Sequence, residues 1–319
     1  DPLRIHAARL DPEPRAAIEA DVDAEVQAAF EQALADPLPD PGQDLSLNMS
    51  RTPAPELETP TPAESVLASL NAALHESMMA DKRVVLLGED ILDPYGGAFK
   101  VTKGLSEAFS QRVMATPISE AGMVGLAAGM ALRGLRPVVE IMFGDFVTLI
   151  ADQLVNHIAK FRWMYNDRVR VPLVIRTPMG GRRGYGPTHS QTLEKLYLGV
   201  PGLRTLAPTA LGDPDRLLAA AIADEDPVLF VENKLLYLSP LQGEYTLAEF
   251  DLARLETPSS YAPTYSLRVH GAPPPTLTLA AYGHMAELAR QAARRLAYEY
   301  EIFVELIVPT QLAPFELEP

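Results

Sequence analysis

One stretch constrains the fold more than any other: Val113 to Met142, VMATPISEAGMVGLAAGMALRGLRPVVEIM. It reads as a short strand, an acidic helix start at Glu120, a helix of small residues and a buried strand. No charge falls between Ala121 and Leu132. A carboxylate at the head of so apolar a helix costs free energy unless a partner pairs with it. Glu120 is therefore a candidate for chemistry. The plainer reading is an acidic helix start stabilised by the exposed N–H groups of the first turn.

The same alternation runs through the chain from Thr61. A helix over 63–79 leads to the strand VVLLGED, 84–90. A helix near 104–109 precedes the Val113 strand. After VVEIM come a long helix from Asp145 to about Trp163, the strand VPLVIRT, and a glycine-rich loop, PMGGRRGYGPTHSQ. A strand around 203–207, a helix over 213–222 and the strand PVLFVEN follow. Continuous apolar strands alternating with helices predict an α/β fold: a parallel sheet with helices on both faces. Residues 239–275 are Pro-rich and read as an irregular linker. At Thr276 a second unit starts: strand TLTLAAYG, a helix over 285–298, strand IFVELIV. One helix and two strands cannot close a core, so this second α/β domain is expected to be truncated or completed from outside.

Ahead of the sheet, Ile18, Val22, Val26 and Phe30 recur every fourth residue on an acidic helical stretch over 11–35. Pro12 and Pro14 suit its first turn. Seven prolines between Asp36 and Pro62 then mark an extended linker.

Composition removes whole classes of function. The formal net charge of -15 opposes a nucleic-acid surface. There is no cysteine, so disulfides, thiolate metal sites and thiol nucleophiles are out. No signal sequence opens the chain, and apolar runs are broken by residues such as Arg133 and Arg136. The expectation is a soluble, cytoplasmic protein with no membrane partner. The chain starts at Asp1 without a Met, which fits a piece of a longer protein.

Six motifs in order resemble one family: GED at 88–90, YGGAFKVTKGL, TPISEAG, GLRPVVEIMFGDF, DQLVNHIAKFRWM and GYGPTHSQ. It is the β subunit of the thiamine-diphosphate-dependent decarboxylase component of 2-oxo acid dehydrogenases (pyruvate, branched-chain and acetoin types). The resemblance spans about 65–237 and resumes at 276. It implies the pyrimidine-binding domain of the thiamine-diphosphate fold over 63–238, followed by the start of a transketolase C-terminal-type domain over 276–319. The helical tail, residues 1–36, resembles the end of the partner α subunit, which implies an α–β fused chain.

The resemblance also assigns residues. Glu120 would be the glutamate that hydrogen-bonds the aminopyrimidine and activates the cofactor. Phe146 and Ile118 would pack beside the ring, and the alternative for both is plain core. His189 would act at the reaction centre and in transfer to a lipoyl group; a His there suits proton transfer near neutral pH. Glu89 would lie in an acidic passage between active sites. A potassium ion would be held at Leu173, Ala221, Ile222, Asp224 and Asp226. An Asp stands at 226 where the family has an Asn. Arg182 and Arg183 could meet an anionic substrate or a lipoyl-domain surface, or be solvated. The Gly-Asp-Gly motif that holds Mg²⁺ and the diphosphate does not occur in this sequence, so that half would come from an α domain or subunit. The implied partners are that α part, a second copy in an α₂β₂-like assembly, and the lipoyl-bearing acyltransferase. Competing readings are a transketolase-like carboligase and a non-catalytic scaffold. A nicotinamide-binding domain is disfavoured because no GxGxxG follows a strand.

Overall fold

In the computed structural model, residues 2–38, 64–242, 247–256 and 260–315 are described. Contacts divide the chain into two units, 1–47 and 48–319. In the first, α2 (Pro12–Ala35) is helical as the spacing predicts, a short α1 (Pro2–Ala7) precedes it, and Ile18, Val22, Val26 and Phe30 are all exposed. The Pro-rich stretch lies outside the described residues from Pro39 to Pro62.

The second unit is built on a seven-stranded sheet of order β11-β5-β6-β4-β3-β1-β2. The strands are β1 (Val84–Gly88), β2 (Val113–Ala115), β3 (Arg136–Glu140), β4 (Val174–Met179), β5 (Arg204–Leu206), β6 (Val228–Asn233) and β11 (Gln311–Ala313). All pairs are parallel except β11 against β5. Because side chains alternate along a strand, each strand feeds both faces. Val84, Leu86, Val138, Val174 and Phe230 join one core. Val85, Leu87, Val139, Ile175 and Leu229 join the other. Helices α3 (Val66–Ala80) and α7 (Pro214–Ala223) contribute to the first core, and α5 (Glu120–Leu132) to the second. Both faces are covered, which is why the strands read as unbroken apolar runs. The short α4 (Leu105–Ala108) leads into β2.

The structure departs from expectation in two places. The stretch after β3 is not one long α-helix. It runs as a 3₁₀ turn (Gly144–Ile150), a π-helical turn (Gln153–Ile158) and then α6 (Ala159–Met164). Tyr197 donates its hydroxyl to the Val147 carbonyl at 2.6 Å, and Thr148 Oγ1 bonds the Asp145 carbonyl at 3.0 Å. Those carbonyls thus have acceptor work outside a regular ladder. Residues 239–275 also hold two strands, β7 (Phe250–Leu255) and β8 (Thr264–Val269), where a linker was expected. β7 is an edge strand exposed from Asp251 to Arg254, so its sequence carries little apolar signal. With β9 (Leu277–Ala280) and β10 (Val304–Pro309) they form a second sheet, β7-β8-β10-β9. The long helix α8 (His284–Tyr300) buries Ala286 against Tyr265, Leu267, Leu306 and Val308. The added strands supply the core that a lone strand–helix–strand could not.

Candidate active site

In open α/β sheets, ligands bind beyond the carboxyl ends of the strands. Every leading candidate lies there. Glu89 follows β1, Ile118 and Glu120 follow β2, Phe146 follows β3 and His189 lies in the loop after β4.

Glu120 opens α5 and is 7% exposed. The turn before it is pinned: the Thr116 amide donates to the Gly88 carbonyl at 3.0 Å, and Thr116 Oγ1 lies 3.3 Å from Met123 Sδ. The sequence thereby sets Glu120 beside the end of β1, where Glu89 is also buried. Among the described residues neither carboxylate has an ion-pair partner, and Glu89 Oε1 has no hydrogen-bond partner. Burial pushes the Glu89 carboxyl above its ordinary range, and the nearby Glu120 charge adds to this; the Ser119 N–H partly offsets it. Ile118 stands in the open at 85% exposure, so it is not core.

Phe146 and His189 are brought together, ring centroids 5.2 Å apart at 79°, and Phe143 lies 4.7 Å from the imidazole. Tyr185 completes the aromatic wall. Thr188 Oγ1 sits 3.1 Å from His189 Nδ1. Gly144 is required by close approach: a Cβ there would fall 2.2 Å from Met179 Cγ. The two motifs GDF and THSQ are tied through Asp145 Oδ1, which accepts from Gln191 Nε2 at 2.7 Å and from the Gln191 N–H at 3.4 Å. Asp145 is buried, and its Oδ2 has no partner among the described residues.

Sequence reasoning missed Asp145, Phe143 and Lys234. Lys234 is fully buried, with its ammonium 4.9 Å from the Phe143 centroid and donating to the His189 carbonyl. Burial lowers its pKa, against the Asp145 charge, which raises it. Its only signal was a charge at the end of an apolar strand. Also missed was a salt-bridge network in the sheet: Arg176 bonds Glu140 at 2.9 Å and Glu232 at 2.7 Å, and the Tyr237 hydroxyl donates to Glu232 at 2.6 Å. Arg182 and Arg183 are exposed on the His189 loop, Arg182 at φ +62°.

The five positions expected to hold potassium gather near the end of α7, but their donor set does not fit a cation as it stands. The Ile222 and Asp224 carbonyls accept from Arg136 at 3.0 and 2.9 Å. The Leu173 and Ala221 carbonyls accept from Val228 and Asp224 amides. The Asp224 carboxylate pairs with Arg204 at 2.9 Å, and Asp226 with Arg162 at 2.8 Å. Guanidinium groups supply the positive charge there. Among the described residues no group of three or more acids and histidines could hold a metal ion.

Residues 65–239 match the family described as "Transketolase, pyrimidine binding domain". A 2-oxoisovalerate dehydrogenase subunit beta of Pseudomonas aeruginosa is 36% identical over 261 residues, covering 80% of this chain and 73% of its own. The chain belongs to the β-subunit family of 2-oxo acid dehydrogenase E1 components. The mitochondrial pyruvate dehydrogenase E1 component subunit beta-2 of Oryza sativa subsp. japonica is 40% identical over 259 residues, 79% of this β-type chain. The chain spans 64% of that relative's length. A solved structure titled "Split gene transketolase, inactive beta4 tetramer" shares the fold at TM-score 0.55 and 20% identity, covering 78% of this chain and 71% of its own. No described helix is long and apolar enough to cross a membrane.

Proposed function

We propose that this chain is the pyrimidine-binding part of a thiamine-diphosphate-dependent 2-oxo acid dehydrogenase, the part that activates the cofactor. The observation that carries the reading is Glu120: a buried carboxylate without a cationic partner among the described residues, two residues from an apolar side chain left exposed. That combination suits a flat heteroaromatic ring with a nitrogen for the carboxylate and a face for Ile118. The chemistry supplied when the cofactor is bound is a nucleophilic thiazolium carbon that attacks the 2-oxo group. Glu120 would share a proton with the pyrimidine ring nitrogen, and burial strengthens that bond. Ile118 and Phe146 would flank the ring and exclude water. His189, braced against Phe143 and Phe146, would hold or move a proton at the substrate and in passing the acyl group to lipoyl. Glu89, beside Glu120, would share in proton traffic with a second site.

The Mg²⁺ and diphosphate would be held by an α domain or subunit, fused or separate. Gly125 and Gly129 on α5 leave room for a partner, because a Cβ at either meets none of the described residues within 4 Å, and Leu126 is exposed beside them. Leu149, Trp163 and Met164 form further exposed apolar surface. These surfaces favour an assembly with an α part and a second copy; the lipoyl-bearing acyltransferase and a cytoplasmic setting belong to the proposal through the family alone.

The test is reconstitution with the α part. Turnover of pyruvate or branched-chain 2-oxo acids should require thiamine diphosphate, and acyl groups should appear on a lipoyl domain. Carboligation of sugars without lipoyl acylation would move the assignment to a transketolase-like enzyme. An inert assembly would make it a scaffold.

A further inference from the structure

A second cavity lies behind the His189 loop, between the carboxyl ends of β4 and β6 and the start of α8, with a volume of about 310 Å³. That is the small end of the range for small-molecule sites, about 300–1,000 Å³. Met179, Val231, Leu235 and Leu288 give it an apolar body. Glu194 gives it a charge. This glutamate lines the cavity at 4% exposure, and its Oε1 accepts from the Tyr282 hydroxyl. Among the described residues its Oε2 is buried without any partner, and so is Nδ1 of His284, another lining residue. No ion pair to Glu194 exists among the described residues.

The cavity is not the aromatic site seen from another side. Successive residues on a strand point to opposite faces. Asn233 lines the cavity, whereas Lys234 turns the other way, against Phe143 and under the His189 carbonyl. Met179, packed against Gly144, forms the wall between them.

We infer that this cavity binds a small aliphatic ammonium compound. An unpartnered buried carboxylate oxygen requires a donor, and its charge favours a cationic one. An ammonium brings three donors, enough to serve Glu194 Oε2 and His284 Nδ1 together. A branched hydrocarbon of a few carbons fits the apolar body. Two sources share this chemistry, a simple alkylamine and an apolar α-amino acid. Arg182 lines the same cavity from an exposed position and would meet the carboxylate of the latter.

Isothermal titration calorimetry on the full chain tests this with three probes: L-leucine, 3-methylbutylamine and 4-methylpentanoate. The two amines bind and the acid does not. Tighter binding of L-leucine assigns the site to amino acids; tighter binding of 3-methylbutylamine assigns it to alkylamines. Glu194→Gln weakens the preferred amine by about tenfold or more, the loss of a charge-assisted bond. Met285→Trp, at an exposed lining position, blocks the cavity without touching the core and abolishes binding; it decides the matter if Glu194→Gln does not fold. Absence of binding by both amines, equal binding of 4-methylpentanoate, or amine binding that survives both substitutions would overturn the inference. The readout is heat of binding, so it stands apart from turnover and from the reading of the Glu120 site.

Discussion

The buried ammonium of Lys234 donates to the backbone carbonyl of His189 and lies over the Phe143 ring. One side chain at the end of β6 thus fixes the loop after β4, on the adjacent strand. Lys234→Met keeps most of the stem and removes the donor. The unfolding free energy should fall by about 1.5–3 kcal/mol, the usual size of a hydrogen bond to a charged group. Urea melts of the two proteins measure it.

His189→Ala should damage acyl transfer to a lipoyl domain more than decarboxylation read with an artificial electron acceptor. Both assays run on the same assembled enzyme. Equal losses would reduce His189 to a general binding role.

Glu89 should make stability depend on pH. Its folded pKa lies above the ordinary 4.5 because of burial, with the Glu120 charge second. The folded state therefore holds its proton more tightly than the unfolded one. Stability is lost as pH rises from about 4.5 through the folded pKa, and the loss persists above it. Glu89→Gln removes that penalty, so the variant should gain Tm relative to the parent at neutral pH and lose the gain near pH 4. A parent whose Tm advantage over the variant grows with pH would contradict the sign.

The arginine-filled acceptors at the end of α7 predict indifference to potassium. Replacing potassium by choline at constant ionic strength should leave Tm unchanged, because a bound ion would add stability by mass action. A Tm that rises with potassium alone would show that Arg136 yields the Ile222 and Asp224 carbonyls to the ion.

What the sequence revealed and what it hid follow one physical division. Strands β1, β3, β4 and β6 were legible because burial on both faces leaves an unbroken apolar run. Helix α5 was legible because its twelve residues after Glu120 carry no charge. The break in the helix after Asp145 was hidden, since Tyr197 reaches its carbonyl from fifty residues away. β7 and β8 were hidden because edge and antiparallel strands expose part of their length. At the site, the motifs named the segments but not the bonds between them. Gln191 with Asp145, and Arg136 with the end of α7, are pairings across 46 and 86 residues. No local periodicity records those pairings.

The most direct test of the central claim is Glu120→Gln in the chain assembled with its α part. The side chain keeps its size, so the circular dichroism spectrum and assembly should be unchanged. Thiamine-diphosphate-dependent decarboxylation of the 2-oxo acid should fall by about 10²-fold or more, as expected when a proton-sharing carboxylate is removed. Turnover near that of the parent would contradict the account.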